Sequence, residues 1–168
     1  MNKDKLGVGY QKMMLRVAEI LKKVDKKLPP IVHEAIEKAR QKSVELGELN
    51  QEESEKVAEY LRRDLDDASG YVSKTGKELK DWLSFDTLLI EKELWELFSS
   101  VADKTILELL QFKASLPPKQ YITHQIVGMG GLKCLGCGEV LQFYRPTAIP
   151  PCPQCQGTVF ERNRAKHD

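Results

Sequence analysis

The four cysteines of this 168-residue chain form two Cys-x-x-Cys pairs, and their spacing is the strongest chemical signal in the sequence. Cys134 pairs with Cys137, Cys152 pairs with Cys155, and fourteen residues separate the two pairs. Two tight turns of this kind supply the tetrahedral sulfur coordination that Zn²⁺ adopts in structural sites. The sequence therefore predicts one structural zinc ion bound by these four residues.

Residues that favour tight turns surround both cysteine pairs. Gly136 and Gly138 lie at the first pair, and Pro153 and Gly157 lie at the second. Glycine tolerates a positive φ angle and proline fixes its own φ angle, so both suit a backbone that curls around a metal ion.

Other uses of the four thiols stay open at this point. The same ligands accommodate iron, as a rubredoxin-like centre or an iron–sulfur cluster, and paired disulfides are a further alternative. No signal peptide is discernible in the sequence, so we expect reduced thiols, metal binding and a cytoplasmic location.

The segments around the cysteines have the composition of short β-strands. Residues 139–144 and 158–162 contain several β-branched and aromatic side chains, and residues 125–127 and 132–133 flank a glycine-rich bend. Three short strands and two metal-binding turns predict a rubredoxin-like zinc ribbon over residues 117–168, ending in a disordered basic tail. Because so small a segment buries little apolar surface, we expect its folding to depend on the metal.

Residues 1–116 show the periodicity of amphipathic helices. Apolar residues recur three or four positions apart, and the first segment follows a coiled-coil-like heptad pattern. Helices are predicted at about residues 5–28, 31–46, 51–82 and 87–115, and their short connections predict antiparallel neighbours. The expected fold is mainly α with a small β module: an elongated antiparallel helical hairpin or four-helix body, followed by the C-terminal zinc ribbon.

Two side-chain patterns within the predicted helical body also lead to expectations. Basic and acidic residues alternate over positions 62–67, which we interpret as a solvated mixed-charge face. Trp95 lies in the broad apolar face of the last helix, and we expect it either in the core or as the anchor of a homodimer formed through the helices.

The composition restricts the classes of function. The chain carries 26 basic and 25 acidic side chains, and its net charge of +1 argues against a strongly basic nucleic-acid-binding protein. No apolar run approaches the ~18 residues of a membrane span. No catalytic Ser/His/Asp set or phosphate-binding loop is discernible, and four thiolates leave zinc no open position for a catalytic water. We therefore expect a protein that is neither an enzyme nor bound to a membrane.

Several motifs resemble the YbeL-like zinc-ribbon-containing proteins of bacteria, a family of unknown function. In the helical half the resemblance is carried by Gly47-Glu-Leu49, Arg62-Arg63-Asp64-Leu65 and Glu93-Leu-Trp95. In the C-terminal part it is carried by Tyr121-x-x-His124, Val127-Gly128-x-Gly130, the two cysteine pairs and Phe160-x-Arg162. The resemblance implies zinc binding by the four cysteines, and it implies no activity or substrate. His124 belongs to the family pattern, and we interpret it as a hydrogen-bonding residue near the metal.

Two functions fit these features. The first is an adaptor that binds a protein partner through the rigid ribbon and the helical surfaces. The second is nucleic-acid binding, because Tyr144 and Arg145 place an aromatic side chain beside a cation and Arg162 adds a further positive charge. The closed metal site and the balanced charge favour the adaptor.

Overall fold

The computed structural model describes residues 3–23, 32–112 and 119–163 of the chain. The helices of this described part are α1 (Lys3–Lys22), α2 (Val32–Glu45), α3 (Gln51–Thr75), α4 (Leu79–Trp82) and α5 (Lys92–Phe112), with a 3-10 turn at Thr87–Leu89. The strands are β1 (Tyr121–Ile122), β2 (Ile126–Val127), β3 (Gly130–Cys134), β4 (Val140–Phe143), β5 (Thr147–Ala148) and β6 (Val159–Arg162). The fold is mainly α with a small C-terminal β module, as predicted.

The four long helices pack around one apolar core. The predicted stripe of α1 lies in it, since Leu6, Tyr10, Met13 and Val17 are all buried. None of the helices in the described ranges combines the length and the apolar character needed to cross a bilayer.

Ion pairs and hydrogen bonds join consecutive helices. Arg16, in the second half of α1, forms a two-pronged ion pair with Glu48, which lies three residues after the end of α2. Arg40, late in α2, donates to Ser54 at the start of α3. These contacts fix neighbouring helices against each other, and their antiparallel direction stays a prediction.

The third predicted helix, residues 51–82, ends earlier than expected. Gly76 has a φ angle of 69° and caps α3 in the left-handed conformation, which glycine adopts without steric cost. The apolar pattern continues beyond this break because α4 is a separate short helix that buries Trp82. The apolar periodicity of residues 51–82 is therefore present, but it extends over two helices, α3 and α4.

The fourth predicted helix, residues 87–115, begins later than expected. The side chain of Asp86 caps only the 3-10 turn, and Ile90 is extended, with φ and ψ angles of −103° and 141°. α5 itself begins at Lys92, and the amide of Trp95 donates to the carbonyl of Glu91 just before it. Three predicted features lie outside the described residues. They are the helix termini expected at positions 24–31 and 113–116, the Pro117-Pro118 linker and the tail at 164–168.

The sequence analysis expected Trp95 in the core or as a dimer anchor, but Trp82 is the more deeply buried of the two tryptophans. Trp82 is fully buried and stacks on Phe98, with ring centroids 5.5 Å apart. Trp95 stacks on Phe98 at 6.1 Å but is only half-buried, at the margin of the core.

The strands form two antiparallel sheets. One sheet has the order β1-β6-β3-β4, and β2 pairs with β5 in the other. The sequence predicted three strands, of which the first is divided into β2 and β3, and it missed the two-residue strands β1 and β5. Of the predicted glycine-rich bend, Gly128 and Met129 lie between β2 and β3, and Gly130 already belongs to β3.

The smaller sheet joins the β module to the helices. Ile126 and Met129 are fully buried in the same apolar cluster as the helical core, and Ala148 packs against it. β2 contacts α1 and α3, and β5 contacts α1. The zinc-ribbon segment is thus seated directly on α1 and α3.

Candidate metal centre

Two β-turns at one end of the larger sheet position the four cysteines. Cys134 is the last residue of β3 and lies opposite Phe160 of β6. Cys137 follows in the turn after β3, and the second pair lies in the turn between β5 and β6. Pairing of β3 with β6 therefore brings together turns that are distant in sequence.

The sulfur atoms have the spacing of a metal site. All four lie within 4.8 Å of one another, with 3.6 Å between the sulfurs of Cys134 and Cys155 and 3.5 Å between those of Cys137 and Cys152. A tetrahedral zinc with Zn–S bonds of ~2.3 Å separates its sulfurs by about 3.8 Å. The thiols are free rather than paired in disulfides. The donor set fits one structural zinc ion.

The backbone of each turn follows the same path. The amide of Gly138 donates to the carbonyl of Cys134, and the amide of Gln156 donates to the carbonyl of Cys152, each at 2.9 Å. Gly138 and Gln156 each directly follow a pair and have φ angles of 83° and 64°. The predicted positive φ is therefore found at Gly138, but in the second turn it falls on Gln156 rather than on Gly157.

Gly136 and Gly157 have a different role, which is to leave room for sulfur. A Cβ atom on Gly157 would lie 3.1 Å from the sulfurs of both Cys134 and Cys155. A Cβ atom on Gly136 would lie 3.3 Å from the Cys155 sulfur. Side chains at these two positions would crowd the ligand atoms.

The site is half inside the ribbon and half at its surface. Cys134 and Cys152 are buried in the ribbon core, which also contains Tyr121, Leu132 and Phe160, whereas Cys137 and Cys155 are exposed. A backbone hydrogen bond from Cys137, with a second from Gly136, lowers the pKa of Cys134 to about 7. These bonds favour the thiolate of Cys134. At Cys137 a backbone hydrogen bond from Glu139 acts in the same direction, but burial and the neighbouring thiols raise its pKa.

The other predicted site residues are more scattered. His124 is exposed, has a φ angle of 79°, and lies outside the group of atoms that can hold a metal, so its role near the metal stays a prediction. Tyr144 and Arg145 are exposed beyond the end of β4. The prediction that Arg162 contacts nucleic acid is wrong, because its side chain is only 3% exposed and forms an ion pair with Asp64 inside the protein.

Arg162 belongs to a buried ion cluster formed by Arg63, Asp64, Asp67 and Arg162. Its guanidinium donates to Asp64 Oδ1 at 3.1 Å and to the carbonyl of Met129 at 3.2 Å, and its Nε lies 3.6 Å from Asp67 Oδ2. Burial opposes the charge of Arg162, but the facing Tyr121, Asp64 and Asp67 raise its pKa above the ordinary value.

Aromatic side chains enclose the buried ion cluster. The guanidinium carbon of Arg162 lies 4.4 Å from the ring centre of Trp82, and that of Arg63 lies 4.3 Å from the ring centre of Tyr121. The indole N–H of Trp82 donates to Asp67 at 2.9 Å. Cation–π contacts and hydrogen bonds thus compensate for the loss of water around the charges.

The solvated face predicted at positions 62–67 is wrong for three of its residues. Asp64 is fully buried, and Asp67 and Arg63 are nearly so. Alternation of opposite charges is ambiguous in a sequence, because the same pattern serves a solvated helix face and an internal set of ion pairs. The residues that carry the family resemblance in α3, β1 and β6 meet in this cluster.

Comparison with known proteins agrees with the geometry. Residues 19–164 match the model of a family described as a zinc-ribbon containing domain. The chain is 28% identical over 160 residues to the uncharacterized protein YbeL of Escherichia coli strain K12, which covers 95% of this chain and 96% of that protein. The YbeL proteins of Escherichia coli O6:H1 and O157:H7 match to the same extent. No solved structure matches the chain significantly.

Proposed function

This chain belongs to the zinc-ribbon containing domain family, and from that premise we propose that it is an adaptor without enzymatic activity. Four cysteines complete the coordination of a structural zinc, so no position remains where the metal could activate water or polarise a substrate. The zinc then acts by holding two turns of the ribbon in place. A metal that shapes a surface supports a binding role.

The observation that carries the proposal is a set of exposed apolar side chains at a mainly polar depression where the ribbon meets the helices. Leu88 is 88% exposed and Leu89 is 54% exposed in the 3-10 turn before α5, and Tyr144 of the ribbon is 41% exposed. Leu89 and Tyr144 line the same depression, which has a volume of about 560 Å³. Adjacent large apolar side chains in water mark a site of protein interaction.

The seating of the ribbon gives this surface a fixed shape. Arg162 of β6 is bound to Asp64 of α3 and packs on Trp82 of α4. A partner that contacts both Leu89 and Tyr144 would therefore meet a preformed depression, which reduces the entropic cost of binding.

The test is recovery of the tagged, zinc-loaded protein from nuclease-treated native lysate, followed by reconstitution with each purified partner. We expect Leu88→Asp and Leu89→Asp to weaken the reconstituted complex by about tenfold or more, because a charge would replace an apolar contact. Leu46→Asp is the matched control, since Leu46 is 53% exposed at the far end of α2. Equal binding by all three variants, or the absence of any directly binding protein, would contradict the adaptor proposal.

Nucleic-acid binding is the competing function, and Tyr144 beside Arg145 is the observation that supports it. Burial of Arg162 leaves Arg145 as the cation at this depression, and Glu91 lines the same depression. If single-stranded nucleic acid binds here, its affinity should fall with rising salt along a shallow slope, and Arg145→Ala should reduce that slope. Lack of binding at low salt would exclude this function.

A further inference from the structure

The outer edge of β4 is open. In the order β1-β6-β3-β4, β3 is the one strand beside it among the residues that the structure describes. Residues 140–144 contain no charged side chain and no proline, although such residues usually protect a sheet edge from pairing with another chain. Val140 is 37% exposed and Tyr144 is 41% exposed. We propose that β4 pairs antiparallel with β4 of a second copy of this chain.

The surroundings of β4 leave its C-terminal end accessible. Gln142, Tyr144 and Arg145 line the depression of about 560 Å³ together with Leu89 and Leu94. Phe85 of the helical part packs edge-on against Tyr144 at 5.2 Å, but Gln142, Tyr144 and Arg145 all stay exposed, so an added strand can reach this end.

Symmetry restricts how two copies of β4 can pair. An antiparallel pair of identical strands has a two-fold axis perpendicular to the sheet, so the faces of the two sheets coincide. Side chains directly opposite each other must then lie on the same face. Because side chains alternate along a strand, one residue of β4 must lie directly opposite the same residue of the second copy, with the two-fold axis between them. An axis level with the midpoint of two consecutive residues would place side chains of opposite faces against each other.

Charge complementarity selects one register among those that remain. With the axis beside Gln142, Glu139 faces Arg145 of the second copy, and Val140 faces Tyr144 of the second copy. The same register places Leu141 opposite Phe143 on the face that packs on the ribbon core. With the axis beside Leu141, Glu139 would face the aromatic Phe143 and the opposite charges would not meet.

By symmetry the selected register contains two Glu139–Arg145 pairs, one at each end of the added strand pair. Both side chains are exposed in the single chain, so both are available for this contact. The inferred dimer goes beyond the adaptor proposal. It shares Tyr144 with the depression of that proposal, whereas Leu88 and Leu89 lie outside the paired strands. It is also distinct from a homodimer formed through the helices.

Charge reversal tests the register in the zinc-loaded full-length protein. Wild-type protein should dimerise in a sedimentation series over concentration, and Glu139→Arg or Arg145→Glu should each weaken dimerisation on the order of tenfold, because both end pairs then become like-charged. Glu161→Arg is the matched control, since Glu161 is exposed on the inner strand β6 and the charge change is the same. It should leave dimerisation unchanged.

Mixing the two weakened variants provides the decisive observation. A chain with Glu139→Arg paired with a chain carrying Arg145→Glu has opposite charges at both ends, so the mixture should form a heterodimer with about the wild-type affinity. The double variant Glu139→Arg/Arg145→Glu should also regain self-association. Unfolding curves and zinc content of each variant would show that the fold is retained.

Three outcomes would overturn the inference. Wild-type protein that stays monomeric at all accessible concentrations has no such interface. A dimer that ignores both charge reversals forms through another surface, such as the helices. Weakening without recovery in the mixture would exclude this register. None of these outcomes affects the adaptor proposal, which is tested by partner binding to the Leu88 and Leu89 variants.

Discussion

Asp64 is the carboxylate on which the junction between ribbon and helices depends. It is fully buried and accepts hydrogen bonds from Tyr10 at 2.6 Å, from the backbone of Gly128 at 2.8 Å, and from Arg63 and Arg162 at 3.1 Å. Burial and the facing Asp64 raise the pKa of Tyr10 well above its usual value, so Tyr10 stays a neutral donor. A buried carboxylate is tolerated because its acceptor sites are occupied.

Close approach at this junction also explains one glycine. A Cβ atom on Gly128 would lie 2.7 Å from the hydroxyl oxygen of Tyr10 and 3.3 Å from Asp64 Oδ2. The backbone amide of Gly128 can reach the carboxylate only because no side chain stands between them.

We predict that Arg162→Met is strongly destabilising, although methionine has a similar length. The substitution leaves Asp64 and Asp67 buried without this cation, and breaking a buried ion pair by removing one partner costs about 3–5 kcal/mol. Chemical denaturation of the zinc-loaded protein measures the loss of unfolding free energy.

Lys133→Met is the control, because it removes a cation at an exposed position of β3 in the same module. It should change the unfolding free energy by less than about 0.5 kcal/mol. Similar stability of the two variants would mean that the ion cluster contributes nothing to stability.

Among the secondary-structure elements, α3 has a capped N-terminus that the sequence predicted. Asn50 accepts from the Glu53 amide at 2.8 Å, and the Glu53 side chain accepts from the Asn50 amide at 2.9 Å, which together form a capping box. Lys5 of α1 also donates to Glu53. The backbone hydrogen bond from Asn50 and the contact with Lys5 lower the pKa of Glu53.

We predict that Asn50→Ala destabilises the protein by about 1 kcal/mol, because the first turn of α3 loses its side-chain acceptor. Thermal or chemical unfolding measures this loss. Glu52→Gln is a suitable control, because Glu52 is exposed in the same turn and its ion pair is with the surface residue Lys56. An equal effect of both substitutions would show that the cap is not the cause.

The lowered pKa of Glu53 has a definite consequence for acid stability. The contribution of Glu53 is complete above its unfolded pKa of about 4.3 and is lost as the pH falls through the lower folded pKa. Glu53→Gln should therefore reduce stability at neutral pH and flatten its decline in acid. Parallel stability–pH curves for wild type and Glu53→Gln would contradict this assignment.

At the scale of the whole molecule, the ribbon and the helical body share one interior. Ile126 and Met129 from the ribbon side are buried among residues of the helices, and the buried ion cluster joins β6 to α3. Loss of zinc should therefore affect the helices as well as the ribbon.

We predict one zinc per chain and a lower unfolding midpoint for the whole protein after chelation, because the metal contributes to the folding of the ribbon. Trp82 provides a local signal, since its ring lies 4.4 Å from the guanidinium of Arg162. Its fluorescence should change when chelation releases the ribbon. Elemental analysis and fluorescence during chelator titration measure the two effects.

Trp82→Phe is the control, because it leaves Trp95 at the margin of the core as the remaining tryptophan. The fluorescence change on chelation should then be largely lost. An unchanged unfolding midpoint after complete zinc removal would show that the ribbon contributes no stability to the helical body.

The sequence by itself determined the features that depend on near neighbours in the chain. The cysteine spacing specified the metal site, apolar periodicity located the long helices, and Asn50 with Glu53 located the start of α3. Each of these signals lies within a short stretch of the sequence, except the association of the two Cys-x-x-Cys pairs. That association was predictable because four cysteines at this spacing are typical of a metal site.

Only the tertiary structure decided where the charges of α3 point and how the ribbon sits. Asp64 and Arg162 are 98 positions apart, and nothing local distinguishes a buried arginine from an exposed one near the end of a chain. β1 and β5 were likewise missed, because two-residue strands exist only through their partners. Buried charges and two-residue strands are both stabilised by contacts between distant parts of the chain. A buried charge in particular is stable only when folding brings a partner to it.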